Sequence, residues 1–255
     1  MCGIAFFINY GKQQLNPEYV YELFEQLNLR GTDASGYYFE RLENGKMVNR
    51  MVKAPVDSES LIYNCKQWEN GDSLYPYKID GTERLIMLHC RAKTRGSQFN
   101  NRNNMPIESK RYVLIHNGVV NNAKMEKYDY QAEVDSEEIL ARIERLGIVN
   151  GLRAISGSMA VVIKPIYSQY IILYRNTNPL DLVLLPDTNI LVGCSNESYV
   201  NGTDNGEDLN SKVFKDSRRL TSLPKHQVLQ ISLTKQYIKK LAAFPEEIGT
   251  VTYRK

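Results

Sequence analysis

The sequence predicts an α+β protein built on largely antiparallel sheets. Strand-like runs rich in β-branched, aliphatic and aromatic residues crowd the region after residue 156, several separated only by short turns, and short connections join antiparallel strands. Helical periodicity is confined to a few stretches. The 255 residues suffice for one large domain or two small ones. No internal repeat, linker or coiled-coil pattern divides them, so a single domain over 1–255 is expected, with its core in about 2–200 and further strands in 201–255.

GIAFFIN (3–9) is short, apolar and aromatic, and reads as a buried strand. Asn16-Pro17 then opens a helix, with Asn as cap and Pro in the first turn. Val20, Leu23, Phe24 and Leu27 form its apolar face, and it ends near Arg30-Gly31. Asn44-Gly45 between strand-like flanks signals a hairpin. Residues 58–68 suit a short helix; RLIMLHCRA and RYVLIHNGVV suit strands. DSEEILARIERLGI is amphipathic, with Ile139, Leu140, Ile143 and Leu146 on one face. The later strands are SMAVVIKP, YIILYRN, LDLVLLP, NILVGCS, HQVLQISL and KQYIKKLA. The Gly/Asn-rich stretch NGTDNGEDLNSK (201–212) reads as a surface loop, and SQFNNRNNMP (97–106) as a lid or a flexible loop.

Composition excludes several classes. Hydrophobic residues make up 42% and charged residues 24%, ordinary for a globular protein. A net charge of +3 without a dense Lys/Arg stripe does not argue for nucleic acid. No apolar run reaches membrane-spanning length, and the N-terminus lacks the basic leader of a signal peptide, so a cytoplasmic location is expected. Cys2, Cys65, Cys90 and Cys194 form no CxxC pair, and His89, His116 and His226 are not at ligand spacing; no metal is expected.

Cys2 raises a chemical question. Removal of Met1 would leave a thiol and a free α-amine on one residue. The amine, with a reference pKa of about 7.7–8.0, is partly neutral at pH 7 and can serve the thiol as its base. The plainer reading is an ordinary second residue of a first strand.

Three further segments join it: RGTDASG (30–36), HCRAKTRG (89–96) and HNG (116–118). In this order behind Met-Cys-Gly-Ile, they resemble the class II glutamine amidotransferases, of the kind that forms the glutaminase domain of glucosamine-6-phosphate synthases. VDSEEI (134–139), SGSMAVVIK (156–164), RNTNPLDLVL (175–184) and GCSNES (193–198) extend the resemblance over roughly 2–200. It implies a four-layer α/β/β/α sandwich of two antiparallel sheets, the N-terminal nucleophile hydrolase fold. It also implies hydrolysis of the glutamine side-chain amide through a thioester on Cys2, with no cofactor.

The resemblance assigns roles residue by residue. Asn117 (side chain) and Gly118 (backbone N–H) would hold the oxyanion; as a pair alone, Asn-Gly is also a favoured tight turn. Arg91 would bind the substrate α-carboxylate, with Thr94 in support, although Arg91 and Lys93 could equally be solvated at a strand end. Asp135 would meet the α-amine, while Asp135-Ser136-Glu137-Glu138 is also a capping-box pattern. Arg30 would support Cys2, and it also suits a helix C-terminus. Ala92 and Arg95 depart from the family's tryptophan and histidine at those positions, which puts tight lid closure in question. Residues 200–255 offer no second catalytic domain, so an ammonia-accepting synthase subunit is expected as a separate partner. Two other readings stand beside this one: an N-terminal nucleophile hydrolase of another linear amide, disfavoured by Arg91 and Asp135, and a non-catalytic subunit or binding module that keeps the fold.

Overall fold

A computed structural model describes residues 1–11, 13–66, 78–185, 188–196, 203–204, 207–208 and 218–245. Two antiparallel sheets dominate it. The first has seven strands in the order β13 (Arg218–Ser222), β9 (Asp181–Leu185), β10 (Ile190–Cys194), β1 (Gly3–Asn9), β4 (Glu83–Arg91), β2 (Ala34–Glu43), β3 (Lys46–Ala54). The second has six, in the order β15 (Ile238–Ala243), β14 (Gln227–Ser232), β8 (Tyr170–Arg175), β7 (Gly157–Pro165), β6 (Tyr112–Val120), β5 (Ile107–Glu108). The helices are α1 (Pro17–Gln26), α2 (Ser58–Lys66), α3 (Glu137–Leu146) and α4 (Ile148–Arg153).

The layering follows from strand alternation. Ile4, Phe6 and Ile8 of β1 meet Val113 and Ile115 of β6 and Ala160 and Val162 of β7 in a core between the sheets. The alternate residues Ala5 and Phe7 face outward and are covered by Val20, Leu23 and Phe24 of α1 and Leu61 of α2. On the far side, Leu114, Val161 and Ile163 are covered by Ile139, Leu140 and Ile143 of α3 and Leu152 of α4. The result is α, β, β, α. Both faces of β1 are therefore dry, which is why GIAFFIN is a continuous apolar run rather than an alternating one.

Local chemistry matches the expected starts and turns. The Asn16 side chain accepts the Glu18 amide (3.1 Å), with Pro17 in the first turn of α1. Asn44 (φ 50°) and Gly45 (φ 77°) join β2 to β3 in the left-handed conformation a two-residue hairpin needs. α1 gives way to a 3₁₀ turn over Leu27–Arg30. Leu146, read on the apolar face of α3, lies in its last turn and is 41% exposed. Of the expected loop 201–212, residues 203–204 and 207–208 pair as β11 (Thr203–Asp204) and β12 (Glu207–Asp208); the rest lies outside the described residues.

Lys164 and Glu40 meet inside the molecule (Nζ–Oε1 2.9 Å), linking β7 of one sheet to β2 of the other. Tyr38 donates to the same carboxylate oxygen (2.7 Å), and Lys164 also donates to the carbonyls of Pro165 (2.8 Å) and Ser168 (2.9 Å).

Candidate active site

The same alternation gathers the chemistry at one end of the sandwich. The even row of β1 runs inward through Ile8, Phe6 and Ile4, and Cys2 continues it just beyond the strand. The odd row of β4 runs through Leu85 and Met87 to His89 and Arg91. The odd row of β6 runs through Val113 and Ile115 to Asn117. Cys2, Arg91, Thr94, Gly118 and Asp135 line one cavity of about 20 Å³, with His89 and His116 also in its wall. That is room for about one water.

Most of these side chains are held by named contacts. Cys2 Sγ donates to the Ala92 carbonyl (3.6 Å), and Arg30 Nε donates to the Cys2 carbonyl (2.9 Å) from the end of the 3₁₀ turn, so Arg30 is both a helix end and a neighbour of Cys2. Asp33 pins the turn behind it, accepting the Lys93 amide (2.7 Å). Ser195 clamps the strand from β10's end, with Ile4 N donating to Ser195 Oγ (2.7 Å) and Ser195 N to Ile4 O (2.9 Å). Burial pushes the Cys2 thiol up, outweighing the nearby N-terminal and Arg91 charges that favour thiolate.

Asn117 and Gly118 are not a turn. They lie within β6, paired with Ala160 and Met159 of β7. The Asn117 side chain is fully buried, and neither amide atom has a partner among the described residues, while its carbonyl accepts from Asn178 Nδ2 (2.7 Å). Gly118 has φ +152°, and a Cβ there would collide with the Ser158 carbonyl. Arg91 is not solvated either: it is 4% exposed. Its guanidinium donates from Nη1 to Asn104 Oδ1 (2.7 Å), and from Nη2 to the carbonyls of Arg95 and Gly96 (3.0 Å for the latter).

The capping-box reading of residues 135–138 does not hold. Asp135 Oδ2 accepts the Val120 amide (2.7 Å), and Ser136 Oγ pairs with His116 Nδ1 (2.8 Å). Glu138 goes to the Met125 amide (3.2 Å), the Tyr130 hydroxyl and Arg142 (2.8 Å). Buried neighbours that need partners win these side chains. The first turn of α3 is closed by main-chain bonds instead, with Glu138 N to Asp135 O (3.0 Å) and Ile139 N to Ser136 O (3.1 Å).

Several site residues escaped the sequence reading. His89 donates from Nε2 across the gap between the sheets to the His116 carbonyl (3.1 Å). Burial pushes His89 down to about 3 and His116 to about 4, so both imidazoles are neutral. Both histidines stand in the segments singled out above, but weighing them only as metal ligands hid their structural part. The stretch 97–106 is no loose lid. Asn103 Nδ2 donates to Ser97 O (2.9 Å) and to Glu133 Oε2 (2.9 Å), and Asn104 Nδ2 donates to Gln98 O (2.7 Å) and Asn101 Oδ1 (3.1 Å). Lys53 Nζ closes it from β3, donating to the carbonyls of Asn104 (2.9 Å) and Pro106 (2.8 Å).

No protein-family model matches the sequence, and no curated protein matches it. Solved structures do match in shape. Glutamine phosphoribosylpyrophosphate amidotransferase from B. subtilis, complexed with ADP and GMP, superposes with a TM-score of 0.67 at 17% identity, over 94% of this chain and 49% of that one. The chain has the N-terminal nucleophile hydrolase fold. A structure described as the allosteric regulatory enzyme of purine biosynthesis gives a TM-score of 0.66 at 17% identity, over the same shares of each chain. The present chain thus spans about half the length of these two structures. At this identity the likeness establishes architecture. It agrees with the resemblance to class II glutamine amidotransferases that the sequence segments carry. Among the described residues, no helix is long and apolar enough to cross a membrane.

Proposed function

We propose that the chain hydrolyses the side-chain amide of glutamine to glutamate and ammonia, with Cys2 as nucleophile once Met1 is removed. The observation that carries this reading is the meeting, at one cavity, of Cys2, Arg91, Thr94, Gly118 and Asp135, drawn from both sheets and the loop before α3.

A buried thiol whose pKa is raised needs a base. In the processed chain the Cys2 α-amine takes its proton. Sulfur then bonds the amide carbon, and the carbonyl oxygen becomes an oxyanion held by Asn117 Nδ2 and the Gly118 N–H. The amine returns the proton to the departing nitrogen, the C–N bond breaks, and ammonia leaves a thioester. Water, deprotonated by the same amine, adds to the thioester carbon; the C–S bond breaks, glutamate departs, and the thiol is regenerated. The unpartnered Asn117 amide fits this part: among the described residues nothing accepts from its Nδ2, which leaves that donor for an oxyanion.

Arg91 takes the α-carboxylate, supported by Thr94, and the oxygen of Asp135 that Val120 leaves free takes the α-ammonium. Arg30 steadies the main chain of Cys2 through the contact already described. The ammonia is passed to an acceptor on a separate synthase subunit, and the reaction is cytoplasmic.

The test is glutamate release by protein whose intact mass shows Cys2 at the terminus, beside Cys2→Ala. Activity in the first and none in the second is expected. Equal rates in the two, or no release from the processed protein, overturns the reading. Profiling with asparagine and acyl amides checks the substrate.

A further inference from the structure

Arg91 is a buried cation on which the charges of Asp33 and Asp135 act, but no carboxylate lies within ion-pair range of it among the described residues. All three of its hydrogen-bond acceptors are neutral: two carbonyls and the side chain of Asn104. Asn104 is itself fully buried, and every polar part of its side chain is spoken for. Its Nδ2 faces two oxygens, Gln98 O and Asn101 Oδ1, so its Oδ1 must be the atom turned to Arg91. Lys53 fixes its carbonyl from β3. A guanidinium offers two two-point edges, Nε/Nη2 and Nη1/Nη2. Asn104 takes one Nη1 hydrogen and the Arg95 and Gly96 carbonyls take those of Nη2, which leaves Nε–H and the second Nη1–H for an incoming group.

We propose that Asn104 is a positioning residue: it orients the Arg91 guanidinium toward the cavity while leaving its positive charge unneutralised for an incoming α-carboxylate. This rests on the glutamine reading above and names what sets its selectivity for an amino acid over a simple amide. An aspartate at 104 would keep the bond to Arg91 and cancel the charge, and its second oxygen would lose the donations to Gln98 O and Asn101 Oδ1, a structural cost that falls on both substrates alike. Lys53, beside the same turn, would then gain a second negative neighbour besides Glu108, whose charge already acts on it.

The experiment compares kcat/KM for L-glutamine and for 4-aminobutanamide, the same amide without the α-carboxylate, in the processed wild-type chain and in Asn104→Asp. Asn104→Asp is expected to lower kcat/KM for glutamine roughly 10- to 100-fold, the scale of one hydrogen bond to a charged group, mostly through KM. For 4-aminobutanamide it is expected to stay within about threefold, since no carboxylate is lost from a substrate that has none. Asn104→Ala, which frees the guanidinium without neutralising it, should fall between the two. Equal losses on both substrates would mean a merely structural role and overturn the proposal, as would an unchanged KM for glutamine. A wild-type chain inactive on both substrates sinks the glutamine reading itself; one active on both without preference leaves amide hydrolysis standing and removes this inference alone.

Discussion

The Asn117 side chain separates activity from stability. Both of its amide atoms are buried without partners among the described residues, and a buried unsatisfied polar group costs about 1–3 kcal/mol. Asn117→Leu, close in volume, should therefore raise the unfolding free energy by about that amount. On the proposed function the same change removes an oxyanion donor and should lower kcat by about 10²–10³. Urea unfolding beside steady-state kinetics reads both; a variant that is destabilised and fully active contradicts the assignment. The two buried histidines set a pH dependence. Their folded values, about 3 for His89 and about 4 for His116, lie below the ordinary value of 6.5, so between these limits the unfolded chain binds more protons. Stability therefore rises with pH from about 4 to about 6.5, by up to about 1.4 kcal/mol per pH unit for each histidine, and their contribution is flat above that. Chemical denaturation at pH 4.5, 5.5 and 7 measures the slope, which His89→Gln should roughly halve.

At the scale of the elements, the segment 95–104 behaves as a built wall. The Asn103 amide donates to Asn100 O (2.9 Å) and the Asn104 amide to Asn101 O (3.2 Å) inside a 3₁₀ turn, and both side chains are buried. Hydrogen exchange at these two amides should be slow, and Asn103→Ala should speed it at both; rapid exchange in the wild type would restore the lid reading. The strands and the helices α1 to α3 were legible because their signals are local: apolar runs, the Asn16-Pro17 start, the Asn44-Gly45 turn. The cavity was legible only through the ordered motifs, because alternation says which residues share a face but not which strands lie together. The Asn-rich wall was misread because polar composition is the same for side chains that bond solvent and side chains that bond one another. Asp135 and Glu138 were misread as a capping box for a related reason: a capping pattern names an available acceptor, and Val120, Tyr130 and Arg142 supplied stronger claims from elsewhere in the chain.

For the whole molecule, the Lys164–Glu40 pair is the polar rivet between the sheets. At the end of SMAVVIKP, Lys164 looks like a residue reaching for water; it is fully buried instead. Lys164→Met strands a buried carboxylate and should cost about 3–5 kcal/mol, whereas pairing it with Glu40→Gln should recover much of that. A double-mutant cycle by urea denaturation checks the coupling, and additive losses would show the pair does not act as one unit. The strand order carries a consequence for how catalysis arises. β1, directly after Cys2, is flanked by β4 and by β10, and its Ile4 is tied to Ser195. The partner sheet comes from residues 107–175, between β4 and β9 in the chain, and from 227–243, after β13. No contiguous fragment holds a finished centre, and pairings this distant form slowly. On the proposed function, enzymatic competence is thus an emergent property of the completed topology, and a refolding chain is expected to gain turnover only in its final kinetic phase.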